Sequence, residues 1–195
     1  HLADGTYVYA GTCRDLTQAQ RAAQKRQPSW RVRVPDREFA FIDHVQGAYR
    51  ENLSTDCGDF VVRRAPGGYV YQLAVTVADG ESGVTEVVRG WDLLSSAPRQ
   101  MYLQELFGFD HPEYAHIPML MAPEGRRLSK RDQDLDMGAL RERLTPEQLI
   151  GVLAHAAGLT ETAAPISAAE LATIFDWSKI RGREIVVTEL EKLYR

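Results

Sequence analysis

Apolar and polar positions change rhythm twice along the chain. Between residues 58 and 90 three segments, GDFVVRR (58–64), YVYQLAVTVAD (69–79) and GVTEVVRG (83–90), are rich in β-branched and aromatic residues and bounded by glycines, which predicts strands. The run Leu73-Ala74-Val75-Thr76-Val77 is nearly continuous in apolar character, as in a strand covered on both faces. SSAPRQMYLQELFGF then predicts a helix, with Ser96 as its cap, Pro98 in its first turn, and Leu103, Leu106 and Phe107 on one face. YAHIPMLM (114–121) predicts another buried strand. Strand, helix and strand in this order imply an α/β architecture with a largely parallel sheet.

Helical signals flank this central part. LTQAQRAAQKR is a good helix former stopped by Pro28. In the last third, Thr145 to Gln148 spell a capping box with Pro146 at the first helical position, followed by Leu149, Ile150 and Leu153 and ending near Gly158. Ser167 to Glu170 repeat the device before Leu171, Ile174 and Phe175, and Thr188 to Glu191 do so once more. Three short capped helices predict a small α-helical appendage. The expected organisation is therefore a basic N-terminal remnant (1–35), an α/β part (36–138) and a helical part (139–195).

Composition adds bounds. The 195 residues are 44% hydrophobic and 26% charged with a formal net charge of −4, which suits one good-sized globular domain or a domain with an appendage. No apolar run approaches the roughly 20 residues that span a bilayer, and no charged-then-apolar leader opens the chain, so no membrane partner and a cytoplasmic location are expected. Two cysteines, Cys13 and Cys57, allow at most one bridge. The chain opens at His1 on HLADGTYVYAGTCRDL, which reads as the interior of a longer protein whose N-terminal part is absent.

Positive charge is concentrated in two places. Arg14, Arg21, Lys25, Arg26, Arg31, Arg33 and Arg37 face only Asp15 and Asp36 over their stretch, a distribution that fits a polyanionic partner and equally a solvated helix surface. RRLSKRDQ (126–133) gathers four cations around Ser129 just after Gly125, which is either a solvated loop or a clamp for a polyphosphate. The familiar phosphate loops GxxxxGK[ST] and GxGxxG are missing, as are HExxH and GxSxG, and each of the five histidines reads as structural or surface.

Arg127-Leu128-Ser129-Lys130-Arg131 resembles the KMSKS signature of class I aminoacyl-tRNA synthetases. The surrounding stretch, above all VVRGWDLLSSAPRQMYLQELFG (87–108), is similar to the second half of a glutamyl-type catalytic domain, and its wording resembles the shortened glutamyl-queuosine tRNA(Asp) synthetase paralogues. The resemblance implies the second half of a Rossmann-type catalytic domain, with the N-terminal half and its HIGH-type motif absent. It implies that Tyr71, at the start of the YQLAV strand, and Arg89, of VRG, hold glutamate: a guanidinium clamps a carboxylate in a bidentate fork, and a phenol hydrogen-bonds the same ligand. It implies that Lys130 offsets charge on departing pyrophosphate, with Arg127, Leu128, Ser129 and Arg131 completing the ATP loop. The resemblance also implies a supporting place near the nucleotide for Asp92. Tyr9 and Cys13 resemble half of a zinc site whose Cys-x-Cys partner pair lies upstream of this chain.

Three functions stay open on these grounds. The first activates glutamate with ATP and Mg²⁺ and transfers it to queuosine in tRNA(Asp). The second is the catalytic part of a conventional glutamyl-tRNA synthetase. The third is a non-catalytic synthetase-like module that binds RNA or a partner.

Overall fold

Several element ends are decided locally, before any long-range packing. In the computed structural model, which describes residues 8–128, 137–180 and 182–186, helix α1 (Gln18–Ala22) opens at Thr17. The Thr17 hydroxyl accepts from the Gln20 amide and the Gln20 side chain accepts from the Thr17 amide. The helix ends at Ala23, well before Pro28, and buries no residue. Propensity without a packed face does not extend a helix.

Strands β1 (Trp30–Val32) and β4 (Phe60–Arg63) pair antiparallel, with Arg31 opposite Val61 and Val32 opposite Phe60. Strands β2 (Glu38–Asp43), β3 (Gly47–Asn52), β5 (Glu86–Gly90) and β6 (Glu113–Ile117) form a four-stranded sheet in the order β3-β2-β6-β5. Within it β2 and β6 run parallel, with Asp43 opposite Tyr114. Asn52 ends β3 and caps the short helix α2 (Leu53–Asp56) by accepting from the Ser54 amide at 2.9 Å. The YAHIPMLM run is split at Pro118 into β6 and β7 (Met119–Met121), and β7 pairs parallel with β8 (Glu184–Val186). The α/β class holds, with parallel pairs beside an antiparallel ribbon.

One predicted strand is a helix. Tyr71–Glu81 forms α3, although its apolar run reads as a buried strand. The stripe Gln72, Thr76 and Gly80, spaced by four, explains the difference. Thr76 is buried and bonds back to the Gln72 carbonyl at 2.8 Å. Gln72 donates to the Ser96 hydroxyl at 2.9 Å and accepts from Gln100 at 2.8 Å. A Cβ on Gly80 would lie 2.3 Å from the Phe109 ring. Polar and small residues at i, i+4 and i+8 face one way on a helix, and here that face meets α4 (Ala97–Phe107).

Helix α4 also turns differently from its apolar pattern. Leu103 is 1% exposed, but Leu106 and Phe107 are 56% and 49% exposed. The inward face is partly polar: Gln100 and Gln104 are buried, and the Gln104 side chain meets His111 Nδ1 at 2.9 Å. A hydrogen-bonded glutamine can occupy the interior at little cost, so counting apolar residues alone places the face wrongly. Ser96 precedes the helix with no side-chain cap bond, and Pro98 sits in the first turn as expected.

Contacts group the chain into two units that are discontinuous in sequence. The first comprises residues up to Ile42, Ala48–Val87 and Leu94–Glu113. Its core holds Phe39, Leu53, Phe60, Leu94, Met101 and Leu103. The second comprises Asp43–Gly47, Val88–Leu93 and the chain from Tyr114 onward. There α5 (Met137–Arg141) contributes buried Leu140. Helix α6 (Pro146–Ala156) and helix α7 (Ala168–Ile174) open on the capping boxes Thr145/Gln148 and Ser167/Glu170 that the sequence spells. Buried Ala154, Leu159 and Ile180 form a cluster lined by Val45, Ala157, Leu171 and Trp177. The third capping box, Thr188 to Glu191, lies outside the described residues, among which no helix is long and apolar enough to cross a membrane.

The two faces of α4 give a direct test. Leu103→Ala is expected to lower unfolding stability by about 3 kcal/mol, and Leu106→Ala by less than about 1 kcal/mol, in denaturant titrations of the intact protein. Equal losses would mean that the face is assigned wrongly.

Candidate active site

The second unit builds its polar centre on three strand ends. Asp43 is the last residue of β2 and is 2% exposed. Its Oδ1 accepts from the amides of Val45 at 3.0 Å and Gln46 at 2.9 Å, an Asx-type turn. The amide of His116, in β6, reaches both carboxylate oxygens at 3.0 and 3.1 Å, and His116 Nδ1 lies 2.5 Å from Oδ2. Burial pushes the Asp43 carboxyl upward, but these donors, the His116 ring first among them, outweigh it and hold the group down at about 2.

His116 is fully buried and is the link to β5. Arg89 Nε lies 2.9 Å from His116 Nε2. An arginine Nε can only donate, so His116 Nε2 accepts and Nδ1 carries the hydrogen given to Asp43. The Tyr114 ring stacks on His116 with centroids 5.9 Å apart, and the Arg89 guanidinium lies 5.4 Å from the Tyr114 centroid. Arg89 Nη2 also donates to the Leu93 carbonyl at 3.3 Å. The histidine that joins these groups was read from the sequence as structural or surface. The available signal was a titratable ring in the middle of the apolar run YAHIPMLM.

The basic loop leaves from β7. Gly125, at φ +80°, closes a turn in which its amide donates to the Ala122 carbonyl at 2.8 Å and the Ala122 amide donates to the Arg126 carbonyl at 2.8 Å. The returning chain lies along β7: Arg127 bridges Met121, and the Leu128 amide donates to the Leu120 carbonyl at 3.2 Å. Arg127 Nη1 then meets Asp92 Oδ2 at 2.8 Å. Asp92 follows Arg89 by three residues, so the sequence-predicted Arg89, Asp92, Arg127 and Leu128 belong to one unit. Ser129, Lys130 and Arg131 lie outside the described residues.

Tyr71 opens α3 of the first unit with its side chain 51% exposed, so the residue expected at a strand start stands in the first turn of a helix. Tyr9 and Cys13 are also in the first unit: the Cys13 amide donates to the Tyr9 hydroxyl at 2.6 Å, and the Arg31 guanidinium lies 4.1 Å from the Tyr9 centroid. Among the described residues no three His, Cys, Asp or Glu side chains gather as metal ligands. Tyr9 and Cys13 supply two of the four donors that a structural zinc site takes, which is not a site by itself. Cys57 is buried, as expected of a packing residue.

Residues 5–191 match the family model described as tRNA synthetases class I (E and Q), catalytic domain. The chain belongs to this family. It is 52% identical over 131 residues to the glutamyl-Q tRNA(Asp) synthetase of Neisseria meningitidis serogroup C, covering 67% of this chain and 44% of that protein. It is 43% identical over 177 residues to the glutamyl-Q tRNA(Asp) synthetase of Symbiobacterium thermophilum, covering 89% of this chain and 54% of that protein. Among solved structures, a glutamate tRNA ligase from Elizabethkingia meningosepticum in complex with its amino acid matches with a TM-score of 0.67 at 27% identity, over 84% of this chain and 37% of that one. The chain thus spans about half the length of the curated relatives it matches.

The polar centre of the second unit should carry an acid signature. Because the folded Asp43 carboxyl ionises at about 2 instead of 3.8, its contribution of about 2 kcal/mol is fully present above pH ~4 and is lost as pH falls toward 2. Unfolding stability measured across this window should drop by that amount in the parent protein. In Asp43→Asn the drop should be missing from a lower baseline.

Proposed function

We propose that the protein from which this chain comes activates glutamate with ATP and Mg²⁺ and passes the glutamyl group to queuosine in tRNA(Asp). The observation that supports this best is the placement of Arg89: its Nε is held by His116, and three residues later Asp92 ties down Arg127 at the root of the basic loop. A carboxylate-binding cation and a phosphate-directed loop are thereby anchored to consecutive parts of one unit. The activity named for the relatives supplies the amino acid and the RNA.

In the first step a glutamate carboxylate oxygen attacks the α-phosphorus of ATP, the bond to the β-phosphate bridging oxygen breaks, and pyrophosphate departs; Mg²⁺, when bound, would offset charge on the phosphates. Arg89 contributes positioning of the amino acid, by a charge-assisted fork on its carboxylate. Lys130, with Ser129 and Arg131 beside it, offsets the charge that grows on the leaving group, an interaction stronger in the transition state than before it. In the second step queuosine displaces AMP from the glutamyl group.

Glutamate-dependent ATP–pyrophosphate exchange by the intact protein tests the reading. Exchange is expected without RNA present; exchange seen only with RNA would favour a conventional glutamyl-tRNA synthetase, and none at all from folded protein would favour the binding module. Arg89→Ala should raise the KM for glutamate at least tenfold with the KM for ATP nearly unchanged. Lys130→Ala should instead lower kcat by about a hundredfold. Wild-type exchange in both variants would defeat the assignment.

A further inference from the structure

Arginine is a poor rigid clamp unless something fixes its last torsions, because a free guanidinium samples many orientations and loses that freedom on binding. Arg89 has a fixing element. His116 is held on three sides: its ring Nδ1–H and its own amide both donate to Asp43, and Tyr114 stacks on its face. Its remaining nitrogen, Nε2, points at Arg89 Nε across 2.9 Å. Asp43 in turn is fixed by the Val45 and Gln46 amides. The order of donors is therefore unambiguous: Arg89 Nε–H to His116 Nε2, then His116 Nδ1–H to Asp43.

Resting on the reading of Arg89 as the glutamate clamp, we propose that Asp43 and His116 are positioning residues that lock the rotation of the Arg89 guanidinium and thereby set the orientation of the bound amino acid. Nη2 also donates to the Leu93 carbonyl, so the guanidinium is held at two of its three nitrogens. The side-on approach through Nε and one Nη is closed. His116 holds no substrate and moves no proton. It acts through Arg89, as an outer hydrogen-bond partner orients an inner ligand.

This predicts a split between two substitutions that a purely structural role would not produce. In His116→Gln the side-chain oxygen can still accept from Arg89, whereas in His116→Asn the side chain reaches Asp43 but falls short of Arg89. The KM for glutamate in ATP–pyrophosphate exchange should rise about tenfold in His116→Asn and clearly less in His116→Gln, with kcat and the KM for ATP little changed. Combining His116→Asn with Arg89→Ala should be no worse than Arg89→Ala alone. Equal losses in the two histidine variants, or additive losses in the double variant, would overturn the positioning role while leaving Arg89 as the clamp. No effect of Arg89→Ala on the KM for glutamate would remove the clamp reading itself. A measurement on the unmutated protein guards against variants that do not fold. A ¹⁵N–¹⁵N coupling across the Arg89 Nε–H···Nε2 His116 hydrogen bond should be detectable by NMR, with His116 protonated on Nδ1. A ring protonated on Nε2 instead would sink the proposal.

Discussion

A carboxylate closed off from water stays ionised only where donors surround it, and Asp43 imposes that constraint on its neighbourhood. Four donors converge on it: two amides of the turn that follows, one amide of the adjacent strand and one ring nitrogen. Meeting that demand ties His116 to the end of β2 and fixes which of its nitrogens faces β5. It also shapes the turn 43–47, which carries three further contacts in the second unit. His44 stacks on Trp177 at 5.6 Å, Val45 lines the Ala154, Leu159 and Ile180 cluster, and Gln46 Nε2 donates to the carbonyls of His116 at 2.8 Å and Gly182 at 3.2 Å. One buried charge thus organises a polar centre and the seat of the helices that follow.

What could be read from the sequence divides along the range of the forces involved. The capping boxes at Thr145 and Ser167 are local: donor and acceptor stand three residues apart and form whatever surrounds them. The resemblance around VVRGWDLLSSAPRQ gave the family and located Arg89 and the basic loop. Elements whose conformation is set by a distant partner were misjudged. YQLAVTVAD has strand-like composition, yet Gln72, Thr76 and Gly80 fit it to Ser96, Gln100 and Phe109, and that packing overrides propensity. Leu106 and Phe107 were placed inside because apolar counting cannot know that Gln100 and Gln104 will find partners. His116 is buried, within the reading of it as structural, but its bond to Asp43, seventy-three residues away, is not visible in the sequence.

The basic arm shows how charge counts change meaning in three dimensions. Arg14 is paired with Asp59, Arg33 with Asp15 and Arg37 with Glu105. Asp59 is nearly buried, and it also accepts from the Val34 amide while its carbonyl takes the Arg31 guanidinium. The Arg14 and Arg33 pairs fasten the β1–β4 ribbon to the chain before it, and the Arg37 pair reaches α4. The cations on this side with no acidic partner among the described residues include Lys25, Arg26, Arg63 and Arg64. Arg63 lies 5.7 Å from the Trp30 centroid and 5.9 Å from that of Tyr69, two well-exposed rings. The electrostatics available to a polyanion on this unit are therefore fewer charges than the sequence suggests, set beside exposed aromatic faces.

Gly90 shows why the residue after Arg89 matters as much as Arg89 itself. A Cβ there would stand 2.6 Å from Asp92 Oδ1 and 2.7 Å from Met119 Sδ. The approach is possible because glycine has no side chain, and it brings β5 against the first residue of β7 while leaving Asp92 free to turn toward Arg127. Strand β7 continues into the turn at Gly125 and the return through Leu128. Any side chain at position 90 would have to displace either Asp92, which roots the basic loop, or Met119, which starts the strand that leads into it. The spacing of Arg89, Gly90 and Asp92 therefore encodes a mechanical requirement: Arg89 and the segment through Arg127 are held in register by close contact across a missing methyl group.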